Sequence, residues 1–279
     1  MCKYLIFGNG FIGNRLTNFL ENSTISYSRI NTIDDIFNQI EEYNPDVVIN
    51  AVGKTGRPNV DWCETHRDET FFSNVSVPTI MAEACEETDT YMVHVGSGCI
   101  YETNRCSGIG FSENDKPNFK GSFYSRTKIF AEKILEEYDN ILQLRIRMPI
   151  DNIPSPRNLI DKLITYKQVI NVPNSITYIP EFITVAKRLM DAHETGIFNV
   201  VNTGAITHKE ILEMYKEIVN PSYEIPEFIP LEKLNTVAGR SNCILYPTRL
   251  EGKGIHMRHV LDAVEDCLKG YAKHIGRPI

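Results

Sequence analysis

The feature that most constrains this chain is a glycine-rich segment close to its start. Gly8-Asn9-Gly10-Phe11-Ile12-Gly13 follows the apolar run at 3–7 directly and leads into a helical pattern at 12–21. Glycines at this spacing allow a tight turn and let a ligand approach the bare backbone. Amides at the start of a helix attract anions, because the helix dipole is positive there. The segment therefore predicts a strand, a phosphate-binding turn and a helix.

The rest of the first half alternates short apolar runs with helical patterns, which is typical of βαβ units and a parallel sheet. Predicted strands lie at 3–7, 24–27, 46–50, 92–95 and 142–147. Predicted helices lie at 12–21, 33–43, 77–87 and 124–138, each with apolar residues three or four positions apart. The fold class indicated is α/β, a Rossmann-type doubly wound parallel sheet with a small C-terminal substrate-binding lobe.

The second half reads less regularly. Prolines stand at 149, 154, 156, 173 and 180, before a predicted strand at 197–202 and a helix at 208–218. The strand at 197–202 is predicted to be a late strand of the first domain's sheet. We therefore expect residues 1–147 with about 196–203 to form an NADP-binding domain, and 148–195 with 204–279 to form the substrate-binding lobe.

Composition excludes several classes of protein. A formal net charge of −7 argues against general nucleic-acid or acidic-membrane binding. The longest apolar runs are strand-length, and the start lacks the features of a signal peptide, so we expect a cytoplasmic protein with no membrane segment. The cysteines are seven, an odd number, and widely spaced, and neither they nor the histidines show metal-ligand spacing. No disulfide framework and no metal site are expected.

The segment after the second predicted strand bears on the cofactor. An NAD enzyme usually offers an acidic residue there to the ribose 2′-hydroxyl, but this chain has Tyr27-Ser28-Arg29. Arg29 can pair with a 2′-phosphate, so NADPH is favoured over NADH, although Arg29 can equally be a solvated surface cation. The predicted cofactor-binding residues are Gly8, Asn9, Gly10, Phe11, Ile12, Gly13, Arg29, Ala51, Tyr124 and Lys128.

A second group of residues indicates chemistry on a carbonyl. Tyr124 and Lys128 stand four residues apart at the start of a predicted helix, so both side chains can reach one ligand. Ser97 follows a strand about 25 residues earlier, where short-chain reductases carry a hydroxyl donor. In that arrangement Ser97 and Tyr124 hold a carbonyl oxygen, and the Lys128 ammonium is expected to lower the pKa of the tyrosine. The alternatives are a strand-end serine and a core tyrosine.

Longer segments resemble one family. They are GKTGRPNVDWCE at 53–64, GIGF at 108–111, GSFYS at 121–125, LRIRMPI at 144–150 and EILEMY at 210–215. These segments closely resemble the reductase half of plant UDP-rhamnose synthases, a bifunctional UDP-4-keto-6-deoxyglucose 3,5-epimerase/4-reductase of the extended short-chain dehydrogenase/reductase superfamily. The resemblance covers about residues 3–245. The glycine segment departs from the family, which has two residues where this chain has only Asn9.

The resemblance implies further roles. Cys99 and Lys162 match the two epimerisation residues of the plant enzyme, and which of them is base and which is acid stays open. For Cys99 the alternative is a small buried packing residue, and for Lys162 a solvated helix lysine. Product specificity also stays open between a UDP-L-rhamnose-forming enzyme, a single-function dTDP-4-dehydrorhamnose reductase, a GDP-sugar epimerase/reductase and a non-catalytic regulatory subunit.

The partners follow from the same comparison. A nucleotide-sugar substrate is expected, with Asn59, Asn158, Arg240 and Asn242 as candidate binding residues, each of which can instead be an ordinary surface residue. Pairing into a homodimer is usual for the scaffold.

Overall fold

The computed structural model describes residues 2–102 and 110–277. Cys106 and the first two residues of the GIGF segment, Gly108 and Ile109, lie outside the described residues. None of the helices in the described part of the chain has the length and apolar character needed to cross a membrane.

A six-stranded parallel sheet forms the centre of the molecule, in the order β2-β1-β3-β4-β5-β9. Its strands are β1 Tyr4–Phe7, β2 Ser23–Ser26, β3 Val47–Asn50, β4 Tyr91–Ser97, β5 Ile141–Ile146 and β9 Gly196–Asn199. The chain leaves β1 toward one side of the sheet and returns to β3 on the other side. The loops after β1 and β3 therefore diverge at the carboxyl edge, where open α/β sheets bind their ligands.

Helices cover both faces of this sheet. The first eight are α1 Phe11–Phe19, α2 Ile33–Tyr43, α3 Trp62–Thr65, α4 Arg67–Phe71, α5 Val77–Glu87, α6 Phe123–Leu135, α7 Leu159–Leu163 and α8 Ile179–Asp191, and one π-helical turn, Phe72–Ser76, joins α4 to α5. One core packs residues of α2 and α5 against one face, and a second packs α1 and α8 against the other. The doubly wound α/β fold is therefore confirmed.

The C-terminal part adds a smaller layer. Two short parallel pairs, β6 Pro149–Ile150 with β8 Thr177–Tyr178 and β7 Gln168–Ile170 with β10 Glu227–Ile229, lie beside α9 His208–Ile218 and α11 Val260–His274. Helix α10 Thr248–Gly252 packs against β9 of the main sheet instead. A separate core joins α7, α9 and α11. Helix α8 packs with the main sheet instead, through Phe182 and Leu189. The division into two domains stays a prediction.

Candidate active site

The glycine segment forms a turn that is closed on one side and open on the other. Gly8 has φ +106°, and a Cβ on it would lie 2.6 Å from the carbonyl carbon of Ala51 and 2.7 Å from the nitrogen of Val52. A Cβ on Gly13 would collide with the Gly8 carbonyl oxygen. Gly10, the N-cap of α1, has no atom within 4 Å of its Cβ position. The turn thus packs tightly against Ala51 and leaves room at the helix start.

This geometry fits a dinucleotide phosphate. The Asn14 amide donates to the carbonyl oxygens of Asn9 at 2.7 Å and Gly10 at 2.8 Å, which fixes the shape of the turn. The open space at Gly10 is the place where a side chain would otherwise obstruct a ligand. Arg29 lies exposed after β2 and has no hydrogen bond or ion pair within residues 2–102 and 110–277. Its guanidinium is free to meet an anion.

The three residues of the carbonyl-binding group lie at the same edge of the sheet. Ser97 ends β4, and Tyr124 and Lys128 are one turn apart on α6. Each is less than 8% exposed. The Lys128 ammonium lies 3.5 Å from the carbonyl oxygen of Val95, and Ser122 caps α6 by accepting from the Ser125 amide. The strand end and the capped helix therefore bring the serine, the tyrosine and the lysine into one buried site.

The ionisation of Tyr124 differs from the sequence prediction. Burial raises the pKa of its phenol, the Cys99 sulfur acts in the same direction, and the hydrogen bond with Ser97 opposes the rise. The predicted lowering of the Tyr124 pKa was wrong, because desolvation of the phenolate is the largest effect on it. Burial also lowers the pKa of Lys128 to about 8. Tyr124 is therefore a protonated phenol at neutral pH, suited to donate rather than to accept.

Cys99 lies beside this group. The residue is partly exposed, its backbone amide donates to the Ser97 hydroxyl at 3.1 Å, and its sulfur accepts from Nη1 of Arg147 at 2.7 Å. Lys162 lies on α7, half-buried, and burial together with the positive charge of Arg157 lowers its pKa. The acid and base roles of Cys99 and Lys162 stay predictions.

The candidate substrate residues fall into two groups. Asn158 and Asn242 are buried, and their side chains are occupied: Asn158 caps α7 and donates to the Asp151 carbonyl at 2.8 Å, while Asn242 accepts from Asn174 at 3.1 Å. Both hold the lobe in shape, and a substrate role for either stays a prediction.

The other two lie nearer the solvent. Arg240 forms a bidentate ion pair with Asp61, at 2.8 and 3.0 Å, and Asn59 accepts from the Asp61 amide at 2.8 Å. The Arg240 guanidinium lowers the pKa of the Asp61 carboxyl. In this conformation Arg240, which was predicted to bind phosphate, is already paired with the Asp61 carboxylate.

Sequence reasoning missed three residues that shape the site. Arg147 contacts Cys99, Asn74 bonds both Lys54 and Thr127, and Arg157 donates to the Gly56 carbonyl at 2.7 Å. The sequence could have indicated Arg147, because it follows a predicted parallel strand and the carboxyl ends of such strands form the edge where ligands bind. No such signal existed for Asn74 or Arg157, whose partners are distant in sequence. No group of three metal-ligating side chains occurs among the residues that the structure describes.

The fold and the site together define a dinucleotide-binding protein of the short-chain dehydrogenase/reductase class. Two features carry this assignment. They are the glycine turn after β1 and the group of Ser97, Tyr124 and Lys128 at the same edge of the sheet. The model of the NAD dependent epimerase/dehydratase family matches residues 4–150. The chain belongs to this family, and its cofactor is of the NAD(P) class.

Three known proteins are closely similar to the chain. It is 40% identical over 260 residues to an Arabidopsis thaliana bifunctional dTDP-4-dehydrorhamnose 3,5-epimerase/dTDP-4-dehydrorhamnose reductase, covering 89% of this chain and 86% of that protein. It is 31% identical to the crystal structure of the UDP-rhamnose synthase from Acanthamoeba polyphaga mimivirus, with a TM-score of 0.91, covering 96% of this chain and 99% of that one.

The third is longer than this chain. An Arabidopsis thaliana trifunctional UDP-glucose 4,6-dehydratase/UDP-4-keto-6-deoxy-D-glucose 3,5-epimerase/UDP-4-keto-L-rhamnose-reductase is 39% identical over 273 residues, which are 94% of this chain. The chain spans 41% of that protein's length. The predicted resemblance to rhamnose-forming epimerase/reductases is confirmed.

Proposed function

We propose that this protein is an NADPH-dependent 3,5-epimerase/4-reductase that converts UDP-4-keto-6-deoxy-D-glucose to UDP-L-rhamnose. The observation that carries the proposal is the placement of Cys99 on the same strand-end turn as Ser97, with its amide on the Ser97 hydroxyl. A reductase needs only the serine, tyrosine and lysine group, whereas epimerisation needs a proton carrier beside it. The similarity to relatives that carry both activities supports the same conclusion.

Epimerisation follows from the 4-keto group. This group acidifies the hydrogens on C3 and C5, so a base can remove one while the electron pair of the C–H bond moves onto the C4 oxygen. The Ser97 hydroxyl and the Tyr124 phenol stabilise the resulting enolate by donating hydrogen bonds to that oxygen. An acid on the opposite face returns a proton to the carbon and inverts it. Cys99 and Lys162 are the proposed pair.

Reduction uses the same oxygen site. When bound, the nicotinamide cofactor supplies a hydride to C4. Tyr124 gives its proton to the C4 oxygen, and its raised pKa suits this role because the phenol is protonated before transfer. Lys128 would hold the nicotinamide ribose, the turn at Gly8, Gly10 and Gly13 would hold the pyrophosphate, and Arg29 would pair with a 2′-phosphate.

Product analysis tests the proposal. Purified protein is incubated with NADPH and, in separate reactions, with the UDP-, dTDP- and GDP-linked 4-keto-6-deoxy sugars, and each product is identified by NMR. We expect UDP-L-rhamnose with one NADPH oxidised per sugar. Faster turnover of the dTDP sugar would assign the enzyme to the dTDP-rhamnose route, and a 4-reduced sugar without inversion would leave a plain reductase.

A Cys99→Ala variant tests the epimerase half. In deuterated water without NADPH, the wild-type enzyme should carry solvent deuterium into C3 and C5 of the keto sugar. The variant should exchange about 10²–10⁴ times more slowly, the usual worth of a positioned acid/base group, while it still reduces a keto sugar that is already in the L-configuration. Cys85→Ala, which removes a fully buried cysteine of α5 away from the site, is the control. Exchange by Cys99→Ala at the wild-type rate would make Cys99 a packing residue.

A further inference from the structure

Arg147 is a buried cation at the centre of the site. It follows β5 directly and is 2% exposed. Its guanidinium donates to Oδ1 of Asn174 at 2.6 Å, to the carbonyl oxygen of Ser241 at 2.5 Å and to the sulfur of Cys99 at 2.7 Å. Two of these bonds anchor the guanidinium to the C-terminal lobe, and the third reaches the strand-end turn of β4.

The backbone fixes the approach of Arg147 to Cys99. The Gly98 amide donates to the Ile146 carbonyl at 2.9 Å, so the turn lies directly against the end of β5. A Cβ on Gly98 would lie 2.5 Å from Leu245 and 3.6 Å from the Cβ of Arg147. The sulfur therefore meets the guanidinium, while Cys99 as a residue stays partly exposed.

The charge of Arg147 is not balanced by a carboxylate. In the described part of the chain it forms no ion pair, whereas the equally buried Arg145, two residues earlier, is paired with Glu132 at 2.6 and 2.8 Å. A buried guanidinium without a counter-ion is costly, so an anion beside it is strongly favoured. A thiolate sulfur is the anion that this site can supply.

Within the described ranges, the titratable groups around Arg147 do not supply another anion. They are Tyr124 and Lys128 of α6, Cys243, and His208 of α9. Burial raises the pKa of Tyr124 and of the Cys243 thiol, and Lys128 and His208 bring no negative charge. Cys243 also donates to the Gly98 carbonyl at 3.3 Å, as a protonated thiol does.

We propose that Arg147 is a positioning residue that holds the Cys99 sulfur as a thiolate at the edge of the sugar site, so that Cys99 acts as the base in epimerisation. This inference rests on the proposed function and names which member of its acid/base pair is the base. The sulfur lone pair takes the proton from the sugar carbon, and the C–H electrons move to the C4 oxygen. The thiol formed stays against the Arg147 guanidinium, while the Cys99 backbone amide keeps its hydrogen bond to the Ser97 hydroxyl. Lys162 is then left as the acid.

The pH profile of Cys99 alkylation by iodoacetamide tests the inference without any sugar. Mass spectrometry of the digested protein follows Cys99 and, in the same molecule, the exposed Cys2 as an internal reference. We expect the midpoint for Cys99 to lie about 1–3 pH units below that for Cys2, the range for an opposite charge in direct contact. Coincident midpoints would overturn the proposal, whether or not any variant folds.

Two variants test whether Arg147 is the cause of the lowered alkylation midpoint of Cys99. Arg147→Met removes the charge but keeps an apolar stem, so the Cys99 midpoint should rise to that of Cys2 or above. Arg147→Lys keeps a cation and should restore part of the difference. Arg145→Lys is the control, since it changes an equally buried arginine that does not touch Cys99 while keeping a cation beside Glu132, and its profile should follow the wild type. An unchanged midpoint in Arg147→Met would make Arg147 a purely structural anchor.

Deuterium exchange then links the thiolate to the reaction. With UDP-4-keto-6-deoxyglucose in deuterated water, Arg147→Met should exchange at least about tenfold more slowly at neutral pH and recover as the pH rises, because the thiol then ionises without help. A low Cys99 midpoint without exchange by the wild type would contradict the proposed function and leave the role of Arg147 toward Cys99 intact. Slow exchange that does not recover at high pH would contradict the role of the thiolate as base.

Discussion

At the scale of single residues, burial decides which proton donor the site contains. Tyr124 is fully surrounded, and burial keeps its phenol protonated at neutral pH. We expect Tyr124→Phe to abolish reduction while NADPH still binds, because cofactor affinity rests on the glycine turn and on Lys128. Single-turnover NADPH oxidation and fluorescence titration of NADPH measure the two effects. Near wild-type turnover in the Phe variant would remove Tyr124 from the mechanism.

Arg29 is the residue on which cofactor choice depends. Its exposed guanidinium lies after β2 with no partner in the described ranges, 2–102 and 110–277. We expect Arg29→Ala to weaken NADPH binding by about 1–3 kcal/mol, the worth of a hydrogen bond to a charged group, and to leave NADH binding unchanged. Calorimetric titration with each cofactor measures this, and Arg188→Ala, an exposed arginine on α8, is the matched control. An equal loss for both cofactors would exclude contact with the 2′-phosphate.

At the scale of elements, the loop after β3 is clamped to the C-terminal segment. Asp61 accepts from Arg240 in bidentate fashion and from the Ala238 amide at 2.9 Å, and the two charged side chains are 27% and 20% exposed. The pair thus joins residues 179 positions apart. It holds the GKTGRPNVDWCE segment against the lobe.

A double-mutant cycle measures this clamp. Asp61→Asn, Arg240→Gln and the double variant are compared by urea unfolding. We expect a coupling of about 1 kcal/mol, since partial exposure reduces the worth of even a bidentate pair. The matched pair Lys187 and Asp191, exposed on α8, should couple more weakly. Strictly additive losses for Asp61 and Arg240 would show that the arginine is free for another partner.

At the scale of the whole molecule, a buried histidine makes folding sensitive to acid. Burial lowers the pKa of His208 from 6.5 to about 4, with the Arg147 charge acting in the same direction. The unfolded chain therefore binds more protons between these values, and stability falls as the pH falls through this window. Between pH 7 and pH 5 the loss from this one group is about 2 kcal/mol.

Replacing the histidine tests this dependence. His208→Gln should lose less unfolding free energy than the wild type between pH 7 and pH 5, although it is less stable at pH 7 if packing is disturbed. Urea unfolding at both pH values gives the difference, and His256→Gln, which changes an exposed histidine, should behave as the wild type. Parallel losses in all three proteins would show that His208 does not titrate in this range.

The sequence by itself determined the elements whose signals are local. Helices α2, α5 and α9 begin and end where the three- and four-residue apolar spacing predicted. The capping pairs Thr32 with Asp35 and Thr207 with Glu210 fix two of these starts. The glycine turn was equally determined, because Gly8, Gly10 and Gly13 supply the bare backbone that it needs. Ser97, Tyr124 and Lys128 were located because each stands at a strand end or on one helix face.

Only the tertiary structure decided the rest. The expected irregular chain after Pro149 was wrong for α8, where Pro180 occupies the first turn and starts the helix rather than breaking it. Helix α11, which packs into the separate core with α7 and α9, was not predicted. The ionisation of Tyr124, the contact of Arg147 with Cys99 and the pairing of Arg240 with Asp61 depend on burial and on residues far apart in the chain. Local spacing carries no record of desolvation or of distant partners, so these features exist only once the chain has folded.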